Sequence, residues 1–151
     1  MTNQEMAPVF TFFQRVSLTK IADRQLRNRI ASFHMALLKE IKAVNGKRDD
    51  IGKEVFKGKE KRMDKYSMKM MALQNARSVE DRDSLRKEID SDFAEEKALD
   101  EKFAERVKAL MNTESKVKFE PFDMTELVEA LTSVGTEITG RDLATLEPIF
   151  G

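Results

Sequence analysis

Residues 26–55 read LRNRIASFHMALLKEIKAVNGKRDDIGKEV, and the spacing within them decides the fold class. Leu26, Ile30, Phe33, Leu37, Ile41, Val44, Ile51 and Val55 recur along one face, with Arg48 filling the one polar step. From Leu26 to Val55 the pattern advances 29 residues in eight steps, a mean of 3.6. A repeat of 3.5 winds helices into a supercoil, whereas 3.6 is the natural period of a straight helix packed in a globular bundle. The stripe predicts one long helix over 20–56, with Thr19 placed to cap it by accepting from a free N–H. Gly46 and Gly52 soften that helix, each costing about 1 kcal/mol relative to alanine. A loop at Asn45-Gly46-Lys47 is the competing arrangement, but the stripe keeps phase across both glycines.

The same period extends outward in both directions. Towards the N-terminus, Met6, Val9, Phe10, Phe13 and Val16 make a short helix over 4–16, with Thr2 or Asn3 as its cap and Pro8 near its first turn. Phe12 falls off that stripe, so it is expected to be exposed. Ser17-Leu18-Thr19-Lys20 breaks the pattern as a turn. Beyond Val55, Lys57-Gly58-Lys59-Glu60-Lys61-Arg62 punctuates the chain before Met63, Tyr66, Met70 and Leu73 resume at helical spacing. Three arrangements stay open for 57–77: a continued helix, a separate one turning back, or a mobile segment. Ser78-Val79-Glu80-Asp81 has the form of a capping box and predicts a helix start near Val79. Its stripe runs through Leu85, Ile89, Phe93, Leu99, Phe103, Val107 and Leu110, with Glu96 the polar exception.

Residues 113–122 lose the helical period. Lys116-Val117-Lys118-Phe119-Glu120-Pro121-Phe122 alternates polar and apolar, as an extended segment does, and Pro121 excludes a central strand. Asp123-Met124-Thr125-Glu126 and Thr139-Gly140-Arg141-Asp142 each open a short helix. The first carries Leu127, Val128 and Leu131 and ends at Gly135; the second carries Leu143, Leu146, Ile149 and Phe150. The expected architecture is all-α. Residues 1–151 form a single helical domain, in which 1–112 is a long antiparallel hairpin with the N-terminal helix, and 113–151 adds the extended segment and two short helices.

Composition narrows the chemistry. In 151 residues there is no cysteine and one histidine, which excludes disulfide scaffolds, thiolate metal sites and two-histidine sites. Charged residues make up 36% and aromatic residues 7%, a balance suited to solvated helices. No stretch approaches the roughly 20 apolar residues of a membrane span. The opening MTNQEMAP lacks the order of a signal peptide, so the cytoplasm is the expected compartment. Net charge is zero but unevenly spread. Residues 1–62 carry 14 Lys/Arg against 7 Asp/Glu (+7), 63–112 carry 10 against 12 (−2), and 113–151 carry 3 against 8 (−5).

No constellation for catalysis emerges. His34 flanks the apolar stripe and reads as a histidine in a polar contact rather than a general base. Asp81, Asp83, Asp90 and Asp92 fail the calcium-loop template, since Leu85 stands where a ligand is needed. The six glycines are isolated and form no phosphate loop. The expectation is a protein that is not an enzyme and holds no metal or cofactor. Its partner is another protein, itself included. Nucleic acid is the less favoured partner, through the basic 47–62 stretch with Lys47, Arg48, Lys59 and Arg62, because acids interrupt it. The expected contact residues are Phe12, Met68, Met71, Lys47, Arg48, Lys59 and Arg62, the methionines because they pack adaptably against varied surfaces.

One resemblance adds to this. The order Pro8-Val9-Phe10-Thr11-Phe12-Phe13, then Val16-Ser17-Leu18-Thr19-Lys20-Ile21-Ala22-Asp23-Arg24, then a charged helix with Arg27, Arg29 and Phe33, with Thr139-Gly140-Arg141-Asp142-Leu143-Ala144-Thr145-Leu146 near the end, resembles a group of small helical proteins encoded by phages and prophages. It covers the first third and the last tenth of the chain. The resemblance implies a phage context, in a bacterial host's cytoplasm or a virion. It also implies a role exercised through protein contacts, as an accessory of particle assembly or a binder of a host protein. It brings no catalytic residue with it.

Overall fold

The computed structural model describes residues 1–151 and is all-α, with seven helices and no strand. The helices are α1 (Asn3–Gln14), α2 (Arg24–Val55), α3 (Glu60–Asn75), α4 (Val79–Asp92), α5 (Ala94–Asn112), α6 (Met124–Ser133) and α7 (Gly140–Leu146). Short 3-10 turns occupy Leu18–Lys20 and Glu147–Ile149. No helix is long and apolar enough to cross a membrane. The chain divides into two compact units, Met1–Gly46 with Leu110–Gly151, and Lys47–Ala109. Helices α2 and α5 each contribute to both.

The first unit is built around buried residues of α1, α2, α6 and α7. Met6, Val9 and Phe13 of α1 meet Leu26, Ile30, Phe33 and Leu37 of α2, with Leu127, Leu131, Leu146 and Ile149 completing the core. Helix α2 is capped by Asp23, whose Oδ1 accepts from the Leu26 N–H at 3.0 Å, not by Thr19. The Leu18–Lys20 turn displaces the start: it buries Ile21, whose carbonyl then accepts from the Arg27 guanidinium at 3.0 Å. Pro8 sits inside α1 rather than at its start. Both Pro8 and Gln4, the residue whose carbonyl Pro8 leaves without a donor, are exposed, so water can satisfy that carbonyl. The extended 113–122 segment keeps the alternation of its sequence: Val117 and Phe119 pack on the core while Lys116 and Lys118 stay exposed. It is tied at its ends by isolated bridges, Thr2 to Glu114 and Phe122 to Phe150.

Helix α2 runs unbroken through both glycines. At Gly46 an added Cβ would meet nothing within 4 Å, and its φ is not positive. Gly46→Ala should therefore stabilise the protein by about 0.5–1 kcal/mol, through the lost freedom of the unfolded chain. The expected readout is a thermal midpoint raised by a few degrees; a lowered midpoint would show that the helix is not continuous there.

The second unit answers the question left open at 57–77. Gly58 takes φ +76, which ends α2 and starts a separate helix, α3. Helix α3 packs on α4 around Met63, Tyr66, Ile89 and Phe93, with Met70, Leu73 and Leu99 at the margin. The run expected as one helix from Val79 onward is two, parted at Phe93. No glycine or proline marks this break. It falls where the Phe93 ring accepts the Arg62 guanidinium at 4.5 Å and approaches Tyr66 at 6.3 Å. Also within this unit, a Cβ added at Gly52 would lie 3.5 Å from the Phe103 ring, and Glu54 pairs with Arg106 at 2.7 Å.

Candidate functional site

The residues singled out in the sequence do not converge on one site. Phe12 is not exposed, as a residue off the stripe of α1 should be, but 4% accessible. It meets Phe13 edge-on with centroids 5.3 Å apart, and the Arg15 guanidinium lies 4.6 Å above its ring. Arg15 in turn pairs with Asp142 of α7 at 2.6 Å. Helix α1 is covered over a wider arc than a single stripe, because α7 packs against it as well. The buried arc is therefore centred on Val9, Phe12 and Phe13, and Phe10 rather than Phe12 falls at its rim.

The basic stretch is partly consumed by the fold. Lys59 pairs with Glu95 at 2.8 Å, and Arg62 pairs with Glu96 at 2.7 Å and donates to the Asp92 carbonyl. Glu96 is only 3% accessible, and the Arg62 hydrogen bond holds its carboxyl below the usual range against the opposing effect of burial. The bond to Glu95 likewise raises the Lys59 ammonium. These two cations join α3 to the start of α5. Lys47 and Arg48 of α2 remain exposed.

His34 is half-buried and stacks on Phe10, with centroids 4.4 Å apart and planes 18° from parallel. Its Nε2 is covered and has no hydrogen-bond partner. The ring acts as a flat packing surface, and no carboxylate or hydroxyl lies within hydrogen-bonding reach of that nitrogen. Of the four aspartates, Asp81 lies in the first turn of α4 and Asp92 is its last residue, about 16 Å apart at the rise of a helix. Asp90 pairs with Lys97 at 3.1 Å. No three His, Cys, Asp or Glu side chains converge as metal ligands would.

Two apolar surfaces are left open. On α3, Met68 is 72% and Met71 62% exposed, on the face opposite Met63 and Tyr66. Lys61 and Lys65 precede them on that face and are exposed, with Asp64 the acid among them. In the first unit, α6, α7 and their connection enclose a groove of about 610 Å³, walled by Met124, Val128, Ile138 and Leu143 with Glu129 and Glu137. Sequence reasoning missed this groove. The available signal was the breadth of the apolar arc on α6. Leu127 and Leu131 fill the core, while Met124 and Val128, on the adjacent edge, are apolar without being needed there.

The groove is rigidly framed. Asp123 Oδ1 accepts from the Glu126 N–H at 2.8 Å to start α6. At the other end, Gly135 takes φ +84, its N–H donates to the Thr132 carbonyl at 3.0 Å, and the Thr136 N–H donates to the Leu131 carbonyl at 3.0 Å. This pair of bonds is the Schellman closure of a helix end, and it turns the chain back towards α7. There Thr139 and Asp142 form a reciprocal capping box, with bonds of 3.3 and 2.8 Å. The chain matches no protein-family model, no curated protein and no solved structure.

Proposed function

We propose that the chain is an interaction or structural protein that works by docking on another protein rather than by catalysis. The observation that carries this reading is the open apolar surface: a framed groove in one unit and an exposed methionine ridge in the other. Exposed large apolar side chains grouped on helical faces mark docking sites more often than chance placement does. Methionine suits such a surface because its unbranched chain adapts to the facing shape. Particle assembly or the capture of a host protein, the roles implied by the phage resemblance, would each use surfaces of this kind.

The test compares variants in cells where loss of the gene has a scorable phenotype. The double variant M68S/M71S, or Val128→Asp, should abolish that phenotype while the helical signal in circular dichroism is retained. His34→Gln and the double variant D81N/D92N should leave it intact. The reverse pattern would replace docking with chemistry at those polar groups. Loss of function in a Lys47→Glu, Arg48→Glu variant, together with salt-sensitive shifts of DNA or RNA, would instead favour a nucleic-acid partner.

A further inference from the structure

We propose that the cleft between α2 and the extended 113–122 segment is a binding site for a small monocarboxylate with a flat apolar body, an aromatic acid being the simplest. This inference does not depend on the docking role. The segment lies antiparallel along α2 and is tied to it at three points. Glu40 accepts from the Lys116 N–H at 3.4 Å, the Phe33 and Phe119 rings meet at 4.8 Å, and Arg29 donates to the Pro121 carbonyl at 3.1 Å. From 116 to 121 an extended chain advances about 16 Å, and from 40 back to 29 a helix covers about the same length. The two therefore run in step. Between them, at the Arg29 end, lies a cavity of about 330 Å³. That is the lower end of the size range of small-molecule sites, about 300–1,000 Å³.

The walls of this cavity are rich in donors. Arg29 spends only its Nη2 on the Glu120 and Pro121 carbonyls, at 3.5 and 3.1 Å, so its Nε and Nη1 donors stay free. Its guanidinium is held in place 4.9 Å above the Phe122 ring. Asn28 and Ser32, one turn apart on α2, are exposed and line the same cavity. The Lys116 N–H and the Glu120 carbonyl both face α2, and in an extended chain alternate residues turn to the same edge, so the Lys118 N–H faces α2 as well. It has no backbone partner in the chain. The charge count selects the ligand. Arg29 and Lys118 line the cavity against one acid, Glu120, a net of +1, and none of the three takes part in an ion pair of the chain. A monocarboxylate matches that balance, and carboxylate is the group a guanidinium fork binds best. A phosphate dianion would set its second charge against Glu120. A bare anion would leave the aromatic lining of Phe33, Phe119 and Phe122 uncovered, whereas a flat apolar body lies against it.

The experiment is a titration of the full-length, nitrogen-15-labelled protein followed by the shifts of its backbone amide signals. The probes are benzoate, phenylacetate and 4-hydroxybenzoate. At least one should move the amides of Asn28, Ser32 and Lys118 in a saturable way, with a dissociation constant of roughly 0.1–1 mM, as expected for so small a ligand. Benzamide, which keeps the ring and lacks the charge, should bind at least tenfold more weakly, and so should acetate and inorganic phosphate, which keep a charge and lack the ring. Lys118→Ala should weaken binding about three- to fivefold, the effect of one exposed charge. Ser32→Leu, which puts a bulky side chain into the cleft from an exposed helical position, should abolish binding while the helical signal in circular dichroism is retained. No shift at these amides with any of the three acids at about 10 mM overturns the proposal. Equal binding of benzamide overturns the carboxylate, equal binding of phosphate overturns the monoanion with an apolar body, and unchanged binding by a folded Ser32→Leu variant overturns the location. None of these outcomes touches the docking role, whose variants lie on other surfaces and are scored by phenotype.

Discussion

Replacing Phe33 with alanine is expected to destabilise the first unit by about 3–5 kcal/mol, the upper range for loss of a buried aromatic side chain. Phe33 is 3% exposed and lies at the meeting point of three segments far apart in the sequence. Its ring stands edge-on to Phe13 of α1 at 5.9 Å and to Phe122 at 5.6 Å, and lies tilted against Phe119 at 4.8 Å. Such pairs contribute about 0.5–1.5 kcal/mol each beyond the area they bury. Alanine removes all three at once and leaves a void whose walls belong to α1, α2 and the extended 113–122 segment. Arg29 keeps that segment in place: its guanidinium donates to the Pro121 carbonyl at 3.1 Å and lies 4.9 Å above the Phe122 ring, so the wall cannot simply collapse inward. The measurement is urea unfolding followed in two ways. Far-ultraviolet circular dichroism reports the helices of both units, while the fluorescence of Tyr66, the one tyrosine, reports the second unit alone. The dichroism transition should shift to lower urea in Phe33→Ala, and Phe33→Leu should recover much of the loss. A change below about 1 kcal/mol would mean that the aromatic cluster is not the centre of this core.

How much of this was readable in the chain depends on whether the deciding contact was local. The stripe from Leu26 to Val55 announces α2 because each apolar step is set by helix geometry alone. Ser78, Asp123 and Thr139 announce the starts of α4, α6 and α7, since a cap is satisfied by an N–H two or three residues on; each accepts from the residue three positions later. The in-and-out order of Lys116, Val117, Lys118 and Phe119 is equally local. What escaped the reading depends on partners distant in sequence. The break at Phe93 is written in no glycine or proline, and it coincides with the contacts of that ring to Arg62 and Tyr66 on another helix. Glu96 did stand out as a polar residue on an apolar stripe, but its partner Arg62 lies 34 residues away. Phe12 was misplaced because the coverage of α1 by α7 is a tertiary fact. The groove escaped because Met124 and Val128 look like ordinary stripe residues until Leu127 and Leu131 are seen to fill the core without them.

Lowering the pH is expected to weaken the attachment of α7 through a single carboxylate. Asp142 titrates at about 2, held down first by the Thr139 backbone N–H and next by the Arg15 guanidinium at 2.6 Å. A carboxyl whose pKa is depressed on folding adds stability that is complete above its unfolded value, near 3.9, and that is lost as the pH falls towards its folded value. The affected window therefore runs from about pH 4 down to pH 2. The full shift would correspond to roughly 2.5 kcal/mol, but Arg15 is half exposed and its share is screened by solvent, leaving about 1–2 kcal/mol. The clean comparison is wild type against Asp142→Asn, because asparagine can still accept from Thr139 but carries no charge to lose. Their difference in unfolding free energy should be about 1–2 kcal/mol at pH 6 and should close towards zero near pH 2, while other carboxylates cancel. Added salt at pH 6 should reduce the part owed to Arg15 and spare the part owed to Thr139, which is a hydrogen bond within one turn. A difference that stays constant from pH 6 to pH 2.5 would show that Asp142 acts by shape alone. It would then remove the electrostatic account of how α7, one wall of the groove, is fastened to α1.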